Sequence, residues 1–169
     1  MHTISLLNAV LWGVHGFLAL FFLAASIPKV TGRGIERWTG FADLPHAEVM
    51  FIGVMEVLGA AGLVLPMATG VFPWLAPLAA IGLAVNVLMA TGFHLRADER
   101  LQAMETTLWA AIAGLVAAGR WPLATSHVAI PAALIVGALA VLMPAAIINV
   151  IILLRRPAKP KAVAYSRAA

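Results

Sequence analysis

Long uninterrupted apolar runs are the feature that most constrains the fold of this chain. A helix needs about 20 apolar residues to cross ~30 Å of hydrocarbon, and runs that approach this length recur along the sequence. We count five of them, at about 6–27, 47–65, 73–95, 103–119 and 127–154. They are continuous, without the apolar/polar alternation of membrane β-strands. The sequence therefore predicts an all-α, polytopic membrane helix bundle whose main surroundings are the lipid bilayer. Because proline interrupts helices, we expect the first two helices to end at Pro28 and Pro66.

The composition agrees with this class. The chain is 63% hydrophobic and only 11% charged, whereas soluble domains are about half apolar and a quarter charged. It has no cysteine, which excludes disulfides, thiol catalysis and cysteine-based metal or iron–sulfur sites. The sequence holds no phosphate-cradling glycine loop and no HExxH or Ser–His–Asp pattern, and we predict no metal site.

The basic residues predict an orientation. Ten of the eleven Lys and Arg residues lie in the connections after the first and third spans or in the C-terminal tail, while Arg120 stands alone on the other side. Five spans place those two connections and the tail on one side. The positive-inside rule then puts the N-terminus outside and the C-terminus in the cytoplasm, across a bacterial-type cytoplasmic (inner) membrane. The formal charge of +4 therefore reflects topology, and we expect no nucleic-acid partner.

One carboxylate lies inside an apolar run, Glu56 in "GVMEVLGAAGLVLP". Ionisable residues at membrane depth are costly and usually mark a function. At ~1.5 Å per residue, Glu56 falls at the middle of the second span, with His15 and Asn86 within about 3 Å of that depth. We predict that Glu56 faces the bundle within hydrogen-bond reach of a polar group, with His15 and Asn86 as its possible partners. Glu56 and His15 are candidates for proton transfer and Asn86 for ligand contact; the alternative is that all three only bind helices together.

A second polar group is predicted near the cytoplasmic ends of the spans. It contains Lys29, His94 and Glu105. The free-energy cost of a polar side chain is lower at a wet interface than at the membrane midplane, and lysine can extend its ammonium group to water. Lys29 and His94 are candidates for ligand binding or for anchoring helix ends, whereas Glu105 is expected to be solvated near a helix N-terminus.

Several segments, in this order, resemble the DoxX/DoxX-like family of small membrane proteins. They are "LAASIPKV", "GVMEVLGAAGLVLP", "PWLAPLAAIGLAVNVLMATGFHLRADE" and "AAGRW", which together cover about residues 8–122. The resemblance implies a four-helix core at 1–122. An additional transmembrane helix at 123–154 and a basic cytoplasmic tail at 155–169 depart from the family pattern. The lysine, glutamate and histidine of that pattern would fall on Lys29, Glu56 and His94.

The resemblance also frames the function, because some family members are subunits of quinone-linked oxidoreductases. The first hypothesis is a redox-associated membrane subunit that binds a quinone or another small apolar ligand and works with a membrane or peripheral redox partner. Whether the chain itself is an enzyme stays open, and no cofactor is required by its residues. The alternative is a non-enzymatic accessory or assembly protein. A small proton-coupled transporter ranks third; since five spans do not divide into two equal repeats, it would need a homo-oligomer.

Overall fold

The computed structural model describes residues 2–35, 39–41 and 44–126 of the chain. Within them lie four long helices, α1 (His2–Thr31), α2 (His46–Thr69), α3 (Leu75–Arg96) and α4 (Arg100–Ser126), together with one 3₁₀ turn at Thr39–Phe41. These ranges contain no strand, so the all-α prediction is confirmed for them. The predicted fifth span at 127–154 and the tail at 155–169 lie outside the described residues.

All four helices are long and apolar enough to cross a membrane, with candidate spans of 22 to 26 residues. Large apolar side chains cover much of the outer surface of the bundle, among them Leu20, Leu101 and Leu115. Water would penalise an apolar surface of this extent, whereas acyl chains solvate it readily. The chain is therefore a multi-pass membrane protein.

The helices pack in sequence order. α1 packs on α2, α2 on α3 and α3 on α4, and a smaller contact between α4 and α1 closes the bundle. Large side chains from all four helices fill the centre, and small residues between them let the helix backbones approach closely. The centre is formed by Leu18, Phe22, Ala60, Leu63, Ala80, Leu83, Ala113 and Val116. The α1–α4 contact includes Phe21 stacked on Trp109, with ring centroids 4.0 Å apart.

The helices run further than the proline positions predicted. α1 continues through Pro28, α2 through Pro66 and α4 through Pro122, so the predicted ends at Pro28 and Pro66 are wrong. Proline removes one backbone donor, but helices in membranes tolerate it because neighbouring groups can satisfy the freed carbonyl. The stop of α2 comes instead at Gly70, whose left-handed backbone (φ 72°, ψ 4°) is the common way for a helix to end.

α1 and α2 lie in close contact beside Gly53. A Cβ atom on this glycine would lie 2.8 Å from Cβ of Lys29 and 3.2 Å from the backbone nitrogen of Val30. The missing side chain therefore brings the last turns of α1 against α2. This contact sets where the side chain of Lys29 begins.

We expect Gly53→Ala to lower the free energy of unfolding by about 1–3 kcal/mol, because the added methyl group overpacks the α1–α2 contact. Gly82→Ala is the matched control, since a Cβ atom there meets nothing within 4 Å. Thermal unfolding of both variants in a mild detergent checks the prediction. Equal midpoints for the two variants would contradict it.

Candidate functional site

A buried ion pair joins α1 to α2. Nζ of Lys29 lies 2.8 Å from Oε1 and 2.7 Å from Oε2 of Glu56, and it also donates to the carbonyl of Ala25 at 3.1 Å. Lys29 is only 6% exposed and Glu56 only 4%. The prediction that Glu56 faces the bundle within reach of a polar group is thus confirmed. Both of its carboxylate oxygens are engaged.

Asn86 brings a third helix to this pair. Its Nδ2 donates to Oε1 of Glu56 at 3.5 Å, the long end of hydrogen-bond distance. Lys29, Glu56 and Asn86, here named the Lys–Glu–Asn cluster, therefore link α1, α2 and α3. Of the two partners that the sequence predicted for Glu56, the structure brings Asn86 to it.

Lys29 does not lie at a wet interface as predicted. Because α1 continues past Pro28, Lys29 stands on a helical turn. Side chains on a helix tilt toward its N-terminus, and Nζ of Lys29 accordingly reaches back to the carbonyl of Ala25, one turn earlier. The ammonium group is thus carried toward the bundle interior, where the carboxylate of Glu56 neutralises it.

His15 lies apart from the Lys–Glu–Asn cluster. Its Nδ1 is 2.9 Å from the carbonyl of Leu63, which follows Glu56 by seven residues, about 10 Å along a helix. The depth estimate for His15 was therefore wrong. The candidate membrane span in α1 ends at Thr31, four residues beyond the predicted end at 27, so the midpoint of the span lies about 3 Å further from His15. Proton transfer by His15 stays a prediction, and the structure gives it no direct contact with Glu56.

His15 instead contacts Arg120, a residue that the sequence analysis counted only as a charge on the outer side. Nε of Arg120 donates to Nε2 of His15 at 3.4 Å. One of its terminal nitrogens, Nη1, donates to Oδ1 of Asn8 at 2.6 Å, and the guanidinium lies 5.9 Å from the ring centroid of Trp12. Arg120, Asn8, Trp12 and His15 are named the Arg120 site. The pattern "GRWPL" lies beyond the predicted fourth span at 103–119, whereas α4 continues through it to Ser126.

His94 forms a third polar contact, at the end of the bundle that holds the α1–α2 and α3–α4 connections. Its Nδ1 lies 2.7 Å from Oε2 of Glu99, and the same oxygen accepts the backbone N–H of Gly40 at 3.1 Å. His94 and Glu99 therefore tie the 3₁₀ turn to the α3–α4 connection. Sequence reasoning missed Glu99, although it lies five residues after His94 in "HLRADE". Ligand binding by His94 stays a prediction.

The remaining predicted polar residue, Glu105, is exposed and accepts a hydrogen bond from Nε1 of Trp109 at 3.3 Å. In the described ranges, no three His, Asp or Glu side chains lie close enough together to hold a metal ion. The chemistry that the Lys–Glu–Asn cluster offers is hydrogen-bond donation from an ammonium and an amide group, beside a carboxylate that can hold a proton.

Comparison with known proteins identifies the family of the chain. The profile of the DoxX-like family matches residues 13–119. The chain belongs to the DoxX-like family. The match includes the whole Lys–Glu–Asn cluster, His15 and His94, and it ends one residue before Arg120. No curated protein and no solved structure matched this DoxX-like chain.

For this DoxX-like protein we expect Lys29→Met to lower the free energy of unfolding by about 3–5 kcal/mol, because it leaves the buried carboxyl of Glu56 without its cation. The double variant Lys29→Met/Glu56→Leu should recover most of that loss, since well-packed apolar residues replace a buried pair at little net cost. Thermal unfolding in detergent measures both variants.

The control is Arg100→Met. Arg100 lies 3.4 Å from Asp98, but its side chain is 86% exposed, so the loss of its charge should leave the unfolding midpoint almost unchanged. A Lys29→Met protein as stable as Arg100→Met would show that the buried pair does not govern the packing of α1 on α2.

Proposed function

We propose that this DoxX-like protein is a redox-associated membrane subunit that binds a quinone-like apolar molecule beside the Lys–Glu–Asn cluster. The observation that supports this most is the buried pair of Lys29 and Glu56. A buried ion pair is seldom more stable than an apolar replacement, and ionisable groups inside membrane helices usually serve a function. The family match supports the same direction, because the matched region contains both residues.

The cluster has the groups that a quinone would need. Lys29 and Asn86 would donate hydrogen bonds to a ring carbonyl oxygen, and Glu56 would pass a proton to it. Reduction of a quinone to a quinol takes up two electrons and two protons. In this proposal the electrons come from a redox partner protein, and the cluster binds the ring and transfers protons. His15 stays a separate candidate for proton transfer, since Leu63 and Arg120 engage both of its ring nitrogens.

We expect protein purified in a mild detergent to bind ubiquinone or menaquinone, and Glu56→Gln to bind it about tenfold more weakly, as the loss of one charge-assisted hydrogen bond implies. Mass spectrometry of bound small molecules and titration with added quinone measure this. Glu105→Gln is the control, since Glu105 is exposed on α4. Native protein that binds neither quinone, or Glu56→Gln protein that binds as the native protein does, would overturn the proposal.

A second candidate is a non-enzymatic accessory or assembly protein, and one observation favours it. Lys29 engages both oxygens of Glu56, as expected if the pair only fastens α1 to α2. The double variant Lys29→Met/Glu56→Leu separates the two candidates. If the pair has only a structural role, this variant folds and still co-purifies with the partner of the native protein. If the pair is a ligand site, the variant folds but loses the quinone.

The orientation is part of the proposal. The end of the bundle with the α1–α2 and α3–α4 connections is rich in basic residues, whereas the α2–α3 connection at 70–74 has none. The positive-inside rule supports an N-terminus outside the inner membrane, with the basic end in the cytoplasm.

Because the native chain has no cysteine, single cysteines report this orientation directly. We expect Val71→Cys, at a position 56% exposed, to react with a membrane-impermeant maleimide in intact cells. Arg100→Cys should react only in inverted vesicles. The reverse pattern would place the N-terminus in the cytoplasm.

A further inference from the structure

Arg120 carries a buried positive charge for which the structure supplies only neutral partners. The residue is 8% exposed, and its Nη2 is buried without a hydrogen-bond partner. The groups around it are the amide of Asn8, the indole of Trp12 and the imidazole of His15. The imidazole is neutral in this arrangement, because Nδ1 donates to Leu63 while Nε2 accepts from Arg120. A buried guanidinium without an anion is costly, so this site is chemically incomplete.

No acidic side chain among the described residues completes the Arg120 site. The sequence has seven acidic residues, Glu36, Asp43, Glu48, Glu56, Asp98, Glu99 and Glu105, and none lies in 1–35 or 106–169. Glu56 is engaged by Lys29. Glu105, the nearest of the seven along the chain, precedes Arg120 by fifteen residues on α4, about 22 Å along the helix. The sequence from 127 to 169 contains no Asp or Glu either.

The depth of the Arg120 site fits an anion at a membrane surface. Arg120 lies three residues, about 4.5 Å, from the end of the apolar stretch at Leu123. The next residue is the exposed Trp121, and tryptophan is typical of the level of lipid headgroups. Asn8 is exposed, so the site meets the surface of the bundle on the α1 side.

We propose that Arg120 binds the anionic oxygens of a phosphate group that comes from outside the chain. Guanidinium groups pair with phosphate through two parallel N–H donors. Nη2 offers the free donor. Nη1 now donates to the neutral Oδ1 of Asn8, which takes the position of an anionic oxygen. When the exposed side chain of Asn8 rotates away, Nη1 becomes the second donor to the phosphate. The phosphate comes from a phospholipid headgroup or from solution, and the site is independent of the Lys–Glu–Asn cluster.

The experiment compares two sources of phosphate on delipidated protein in an uncharged detergent. One arm adds phosphatidylglycerol and the other adds inorganic phosphate. Native mass spectrometry counts bound lipid, and thermal unfolding reports both ligands. In at least one arm we expect Arg120→Gln to bind about tenfold more weakly than the native protein. Arg100→Gln, which removes an exposed arginine from the same helix, should bind as the native protein does.

Asn8→Asp gives a test that leaves Arg120 in place. It puts a carboxylate where Oδ1 of Asn8 now lies, 2.6 Å from Nη1 of Arg120. This internal anion should raise the unfolding midpoint without added phosphate and abolish the further rise that phosphate or phosphatidylglycerol produces. Because Asn8 is exposed, the substitution does not disturb the core.

The two arms identify the source of the phosphate. A response to phosphatidylglycerol alone indicates a lipid-headgroup site, and a response to inorganic phosphate indicates a site for soluble anions. The inference is overturned if the native protein and Arg120→Gln respond alike in both arms. It is also overturned if the unfolding midpoint of the Asn8→Asp protein rises with phosphate or phosphatidylglycerol as much as that of the native protein.

Discussion

The buried pair of Lys29 and Glu56 is the interaction on which the arrangement of this bundle depends. Either charge alone would be expensive among apolar helices, and the two together are tolerated because each neutralises the other at 2.7 Å. The pair requires the end of α1 to lie against the middle of α2, which Gly53 permits. Asn86 then draws α3 to the same point. One electrostatic requirement thus fixes the relative positions of three helices. In a bilayer the hydrophobic effect contributes little to the association of helices.

Buried ionisable groups have different partners at the two ends of the bundle. Near the basic end, His94 and Glu99 are complementary groups that also satisfy the backbone of Gly40. At the opposite end, Arg120 has hydrogen-bond acceptors and an aromatic ring but no acid. The first arrangement is complete within the described chain. The second leaves Nη2 of Arg120 without a hydrogen-bond partner, which is why we propose an external anion at that end alone.

Much of this structure could be predicted from the sequence, and the failures have a common physical cause. The apolar runs fixed the class and the four described helices, and the isolated acid among them indicated that Glu56 faces inward with Asn86 in reach. The partners of Lys29 and His15 were missed because the first two helices were expected to end at Pro28 and Pro66, and those of Arg120 because this residue lies just beyond the predicted fourth span. In water the rule that proline ends a helix holds well. In a membrane the helices continue, so depths counted from the shorter predicted spans shift by up to about 3 Å.

The position of the ion pair has a consequence for synthesis of the protein. Lys29 and Glu56 are 27 residues apart and belong to α1 and α2, which follow each other along the chain. The hairpin of α1 and α2 is therefore the smallest unit that can enter the bilayer with neither of these charges unpaired. If α1 were inserted alone, it would have to leave the ammonium group of Lys29 at the water boundary. Its final depth can be reached only once the second helix has delivered the carboxylate.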